Sequence, residues 1–295
     1  MTRYPDWAHD GRDWPNRSAS QFVPAGGIVW HVQVMGEGPA ILLLHGTGAA
    51  THSWAGLLPL LARHFTVIAP DLPGHGFTEA PAEEGFTLPG MARRVAALLA
   101  ALGQTPDVAV GHSAGAAVLA RMTLDGILSP RTIIALNGAL VPIRNGPGDL
   151  PWFSGLARFM VSLPVVPWFL SWQAADRATV ERLLAGTGST LPPANVDFYT
   201  RLLRRPGHVA AALNMMAAWD LAGLARDLPR LAVPLVLMVG TNDRTVPPTD
   251  AERVRTLVPS ARIVRLPELG HLAHEERPDL VAALIEETAL APVDR

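Results

Sequence analysis

Three residues of this chain have the types and the placement for acyl transfer. Ser113 stands in Gly111-His112-Ser113-Ala114-Gly115, Asp243 in Gly240-Thr241-Asn242-Asp243-Arg244, and His271 in Leu269-Gly270-His271-Leu272. A serine hydroxyl is a weak nucleophile at neutral pH. It needs a base to take its proton, and a histidine base needs a carboxylate to fix its tautomer. The oxyanion that develops needs N–H donors aimed at it, and the backbone N–H groups of Thr47 and Ala114 are the expected pair. His274 is a rival base, but it leads into the final helix, whereas His271 lies closer to a strand end. For Asp243 the structural alternative is a turn carboxylate that binds its own backbone.

These residues do chemistry only if the chain brings them to one edge. The apolar run Val108 to Val110 reads as a buried strand, and the Ala-rich segment after Gly115 reads as a helix, so Ser113 falls at a sharp strand-to-helix turn. Ala40 to Leu44 is apolar at every position, as in a strand covered on both faces, and ends at His45-Gly46-Thr47-Gly48. Phe65 to Ala69, Arg131 to Leu136, Val233 to Val239 and Ala261 to Leu266 read as further strands. Ser53 to Arg63, Leu88 to Leu102, Asp250 to Val258 and the segment from Pro278 read as helices. Asp243 and His271 each fall just past a strand end, on the edge that carries Ser113.

Alternating strands and helices imply an α/β protein with a mostly parallel sheet and helices on both faces. Phe22 to Met35 reads as a hairpin of exposed edge strands, and residues 1–20 as a loosely docked polar arm. The rhythm breaks at residues 139–228, which are helical in pattern and rich in proline and tryptophan. They read as an inserted cap between a first core part, 1–138, and a second, 229–295. Leu150 to Trp172 is the most apolar stretch there. Pro151, Pro164, Pro167 and Arg158 argue against a membrane span, and the stretch is expected to wall a ligand pocket or touch a membrane surface.

The 295 residues are 49% hydrophobic with a net charge of -2, which suits a packed globular protein and gives no footprint for nucleic acid. There is no cysteine, so thiolate chemistry and Cys-bound metal are excluded, and no lysine, so Schiff-base chemistry is excluded too. The polar N-terminus shows no secretory signal, and a cytoplasmic protein is expected. Gly46-Thr47-Gly48 lacks the third glycine of a dinucleotide fingerprint, Thr51 standing in its place.

Taken together, His45-Gly46-Thr47-Gly48, Asp71-Leu72-Pro73-Gly74-His75-Gly76, Gly111-His112-Ser113-Ala114-Gly115, the Asp243 loop and Gly270-His271 resemble the α/β-hydrolase family over nearly the whole chain. The resemblance implies the α/β-hydrolase fold, a Ser113–His271–Asp243 triad, an oxyanion hole at Thr47 and Ala114, a cap, no metal and no cofactor. Trp14-Pro15-Asn16-Arg17, the stretch His45 to Trp54 and the loop Asp71 to Thr78 resemble, more narrowly, the hydrolase-like accessory proteins of bacteriochlorophyll biosynthesis linked to magnesium chelatase. That implies an apolar small-molecule substrate, such as a tetrapyrrole, in a phototroph near magnesium insertion, with magnesium chelatase as partner. A non-catalytic porphyrin-binding protein on the same scaffold is the alternative.

Overall fold

The computed structural model describes residues 3–142, 165–174 and 176–291. Its centre is an eight-stranded sheet built from β1 (Ser20–Ala25), β2 (Ile28–Met35), β3 (Ala40–Leu44), β4 (Thr66–Pro70), β5 (Val108–His112), β6 (Thr132–Leu136), β7 (Leu235–Gly240) and β8 (Arg262–Leu266). The spatial order is β1-β2-β4-β3-β5-β6-β7-β8. β1 and β2 form the antiparallel end and β2 pairs antiparallel with β4; from β4 onward every pairing is parallel.

Strand side chains alternate between faces, so a strand covered on both sides must be apolar throughout. In β3, Leu42 and Leu44 join one core cluster with the helices Leu88–Ala101 and Ala114–Leu124. Ile41 and Leu43 join the other with Trp54, Leu57, Leu61, Val281 and Ile285. The parallel strands therefore direct their carboxyl ends, and the loops that follow, to one edge.

Three expectations need correction. β2 is no exposed edge: it lies between β1 and β4 with Trp30, His31, Val32 and Gln33 buried. The N-terminal arm is docked tightly. Trp14 is 2% exposed and donates from Nε1 to Thr51 Oγ1 at 2.9 Å, and Asp10 and Asp13 pair with Arg205 and Arg201. Its partners lie far along the chain, which is why local polarity was misleading. The expected helix over Ser53 to Arg63 is also broken, into a 3-10 turn at Thr51–Trp54 and a short helix at Leu57–Leu61.

Between β6 and β7 the regular elements among the described residues are all helical: Val165–Gln173, Arg177–Gly186, Pro193–Leu203, Pro206–Ala218 and Leu221–Asp227, ending in a 3-10 turn at Leu228–Arg230. Residues 150–164 of the apolar stretch, Arg158 among them, lie outside the described residues. In the described part, Trp168, Phe169 and Trp172 are exposed. Arg177 pairs with Asp197, and Arg201 with Asp13.

Candidate active site

Ser113 occupies the turn between β5 and the helix Ala114–Leu124 with φ 49° and ψ −115°, a conformation that costs a residue with a Cβ energy. Its backbone is held by the neighbouring strand: Ser113 N donates to Leu136 O at 3.0 Å, and Ala139 N donates to Ser113 O at 3.0 Å. The flanking glycines are needed for space. A Cβ on Gly111 would overlap the backbone of Ala116, and one on Gly115 would overlap the Leu44 carbonyl. The elbow thus forms only because strand and helix approach to backbone contact.

Asp243 follows β7. Its Oδ1 accepts the N–H groups of Thr245 (2.7 Å) and Val246 (2.9 Å), and its Oδ2 meets His271 Nδ1 at 2.8 Å. The turn-carboxylate role and the role toward histidine therefore coexist on separate oxygens. A carboxylate only accepts, so Nδ1 of His271 carries the proton that faces Asp243. His271 is buried in its loop after β8, with a side chain 7% exposed. The Ser113 hydroxyl makes no side-chain cap to the helix that it precedes.

Gly46 passes beside the elbow: a Cβ there would lie 3.0 Å from Ser113 Cβ. Neither Thr47 N nor Ala114 N donates to an acceptor among the described residues, and Ala114 N is at the first position of its helix, where N–H groups lack intrahelical partners. His274 is placed differently. It is buried against Trp54 and His112 with both ring nitrogens unpartnered, and burial, helped by nearby His271, lowers its pKa to about 3. His75 is also buried, with its pKa held well below the usual value by burial and by His208.

Several residues at this edge were not visible in the sequence. His112 Nε2 donates to the His271 carbonyl at 2.9 Å, and Asn137, at the end of β6 with φ 46°, donates to the same carbonyl at 2.8 Å. An Asn directly after a buried strand was the available signal for the latter, since Asn tolerates left-handed backbone. From the inserted helices, Thr187 O accepts from Arg244 N (3.1 Å) and His271 N (3.4 Å), and Ser189 Oγ accepts from Leu272 N (2.8 Å). Glu275 accepts from Tyr199 Oη (2.6 Å) and Asn195 Nδ2 (2.8 Å), and burial pushes its pKa up to about 7.

Elsewhere a serine, a histidine and an aspartate are linked in series. His31 lies 2.7 Å from Asp71 Oδ2 and 3.0 Å from Ser20 Oγ, while Asp71 accepts the N–H groups of Thr51 and Phe77. Burial alone would raise the Asp71 pKa, but His31 beside it holds it well below the carboxylate range. Here Ser20 is in extended strand backbone, φ −78° and ψ 136°, and the series braces β1, β2 and two loops.

The sheet order, the elbow and the loops after β7 and β8 define an α/β hydrolase. The alpha/beta hydrolase fold family matches residues 39–278, and the chain belongs to that family. It is 37% identical over 275 residues, 92% of this chain and 95% of the relative, to the magnesium-chelatase 30 kDa subunit of Rhodobacter capsulatus. It is 25% identical over 272 residues, 89% of this chain and 93% of the relative, to 2-hydroxy-6-oxo-2,4-heptadienoate hydrolase of Pseudomonas putida. Among solved structures, 2-hydroxy-6-oxo-6-phenylhexa-2,4-dienoate hydrolase from Rhodococcus sp. strain RHA1 superimposes with a TM-score of 0.71 at 23% identity, covering 92% of this chain and 98% of that one.

Proposed function

We propose that the protein is a serine hydrolase in which Ser113 is the nucleophile, His271 the base and Asp243 its orienting acid, with the N–H groups of Thr47 and Ala114 as oxyanion donors. The observation that carries the reading is the His271 Nδ1 to Asp243 Oδ2 contact of 2.8 Å at the edge where Ser113 holds a strained elbow. Residues 139–228 act as the cap over an apolar substrate, and the core is formed by 1–138 and 229–295. In the reaction His271 Nε2 takes the Ser113 proton, Ser113 Oγ attacks an ester-like carbonyl, the leaving group departs with a proton from His271, and water releases the acyl group.

The likeness to a magnesium-chelatase subunit supports a tetrapyrrole substrate in bacteriochlorophyll biosynthesis near magnesium insertion, with magnesium chelatase as partner. The test is the intact mass of the purified protein after exposure to a fluorophosphonate, beside Ser113→Ala. One adduct on the wild type and none on the variant is the expected result. Absence of an adduct on the wild type would remove the nucleophile.

One observation favours a second reading, a porphyrin-binding accessory protein with an idle triad: the likeness to a magnesium-chelatase subunit. That reading requires a saturable porphyrin absorbance change that Ser113→Ala leaves intact, together with no fluorophosphonate adduct. For location, the reading is a cytoplasmic protein that touches a membrane peripherally. No helix among the described residues is long and apolar enough to cross a membrane, and exposed Trp168, Phe169 and Trp172 on Val165–Gln173 suit the interface of a bilayer. Sedimentation with anionic lipid vesicles that Trp168→Ser and Trp172→Ser abolish supports the contact; no sedimentation removes it.

A further inference from the structure

We infer that His112 and Asn137 are positioning residues for the base, which together grip the main-chain carbonyl of His271 and so aim its imidazole at Ser113. The inference rests on the reading of Ser113, His271 and Asp243 as a working triad. Asp243 touches only the Nδ1 side of the ring and leaves the backbone from which the ring springs to be fixed by something else. A carbonyl oxygen has two lone pairs. At His271 both are taken by side chains, His112 Nε2 at 2.9 Å and Asn137 Nδ2 at 2.8 Å.

Each donor ties the base to another part of the machinery. His112 is the residue before the nucleophile, so its hydrogen bond ties the elbow to the loop of the base. Asn137 also accepts Gly240 N at 2.7 Å and donates to Gly270 O at 3.0 Å, which joins the end of β7, and hence the Asp243 loop, to the loop of the base. The left-handed backbone of Asn137 belongs to this arrangement.

His112 is suited to the task because it stays neutral. Burial, and then the proximity of His274 and His271, hold its pKa well below the usual value. Its ring centroid is 4.7 Å from that of His271. A neutral ring there adds no like charge when His271 becomes an imidazolium. With the single proton on Nε2, Nδ1 is a bare lone pair, and it is indeed buried without a partner.

The test compares fluorophosphonate labelling of the wild type with His112→Leu, His112→Gln and Asn137→Gly, alongside the thermal midpoint of each. We expect His112→Leu and Asn137→Gly to slow the bond-forming rate constant by about 10- to 100-fold with the half-saturating probe concentration unchanged, since a small misplacement of a catalytic group costs this much. His112→Gln, which keeps an N–H donor, should recover most of the rate. Variants that are folded at the assay temperature yet label at the wild-type rate would overturn the inference and leave the triad standing. So would His112→Gln proving as slow as His112→Leu. A wild type that forms no Ser113 adduct would overturn both. If His112→Leu fails to fold, nitrogen-15 histidine spectra of the wild type decide: a neutral His112 with its proton on Nε2 is expected, and a proton on Nδ1 refutes the grip.

Discussion

Asp243 and His271 meet through one carboxylate oxygen only, Oδ2 at 2.8 Å from Nδ1, because Oδ1 is already occupied by the N–H groups of Thr245 and Val246. One oxygen shapes the turn and the other orients the ring. Asp243→Asn would keep the turn but favour the wrong tautomer of His271. The rate of fluorophosphonate labelling at Ser113 should fall by roughly 10³- to 10⁴-fold with little change in thermal midpoint. A variant that labels as fast as the wild type would show that His271 works without its acid.

Glu275 gives a pH dependence whose sign can be worked out. Its pKa rises from 4.5 to about 7, chiefly by burial, so between these values the folded chain keeps a proton that the unfolded chain releases. Its contribution to stability is complete below about pH 4.5 and is lost as pH climbs through about 7. Glu275→Gln cannot ionise, and a rotated Asn195 amide can still pair with it. The variant should gain stability relative to the wild type on going from pH 5 to pH 8, by on the order of 1–3 kcal/mol. Thermal unfolding at the two pH values reads this, and a constant difference between the proteins would refute it.

Gly188 has φ 85°, and a Cβ there would overlap the Asn242 carbonyl next to Asp243. Gly188→Ala should destabilise the protein by roughly 1–3 kcal/mol and slow Ser113 labelling, because Thr187 and Ser189 on either side hold the loops of Asp243 and His271. Gly186→Ala is the control. Nothing lies within 4 Å of its Cβ position, and it should be neutral or mildly stabilising. Equal midpoints and equal labelling rates for the two variants would contradict the assignment.

The parts legible in the sequence were those fixed by local pattern. The continuous apolar runs of β3, β5 and β6 mark strands buried on both faces, and the glycines around Ser113 mark the close approach of strand and helix. The placement of Asp243 and His271 just past β7 and β8 followed from the same pattern. What escaped depends on partners remote along the chain. Trp14 is buried by Thr51, Leu202 and Phe198, none of them its neighbours in sequence. His112 and Asn137 show their use only when the loop of His271 folds over them. The pairing of Glu275 with Tyr199 and Asn195 likewise joins two segments whose polar residues, taken singly, look like ordinary surface.

The chain leaves the sheet after β6 and re-enters at β7, its immediate neighbour. An excursion whose two ends sit on adjacent strands can change in length and content without disturbing any strand register, which makes it the natural place for evolution to graft new specificities. The grafts are nevertheless not interchangeable parts. Thr187, Gly188 and Ser189 reach back to the loops of Asp243 and His271, so a transplanted segment that lacks this foothold would carry a new pocket while loosening the machinery beneath it. Diversification at this junction is therefore free in sequence but bound by one short turn.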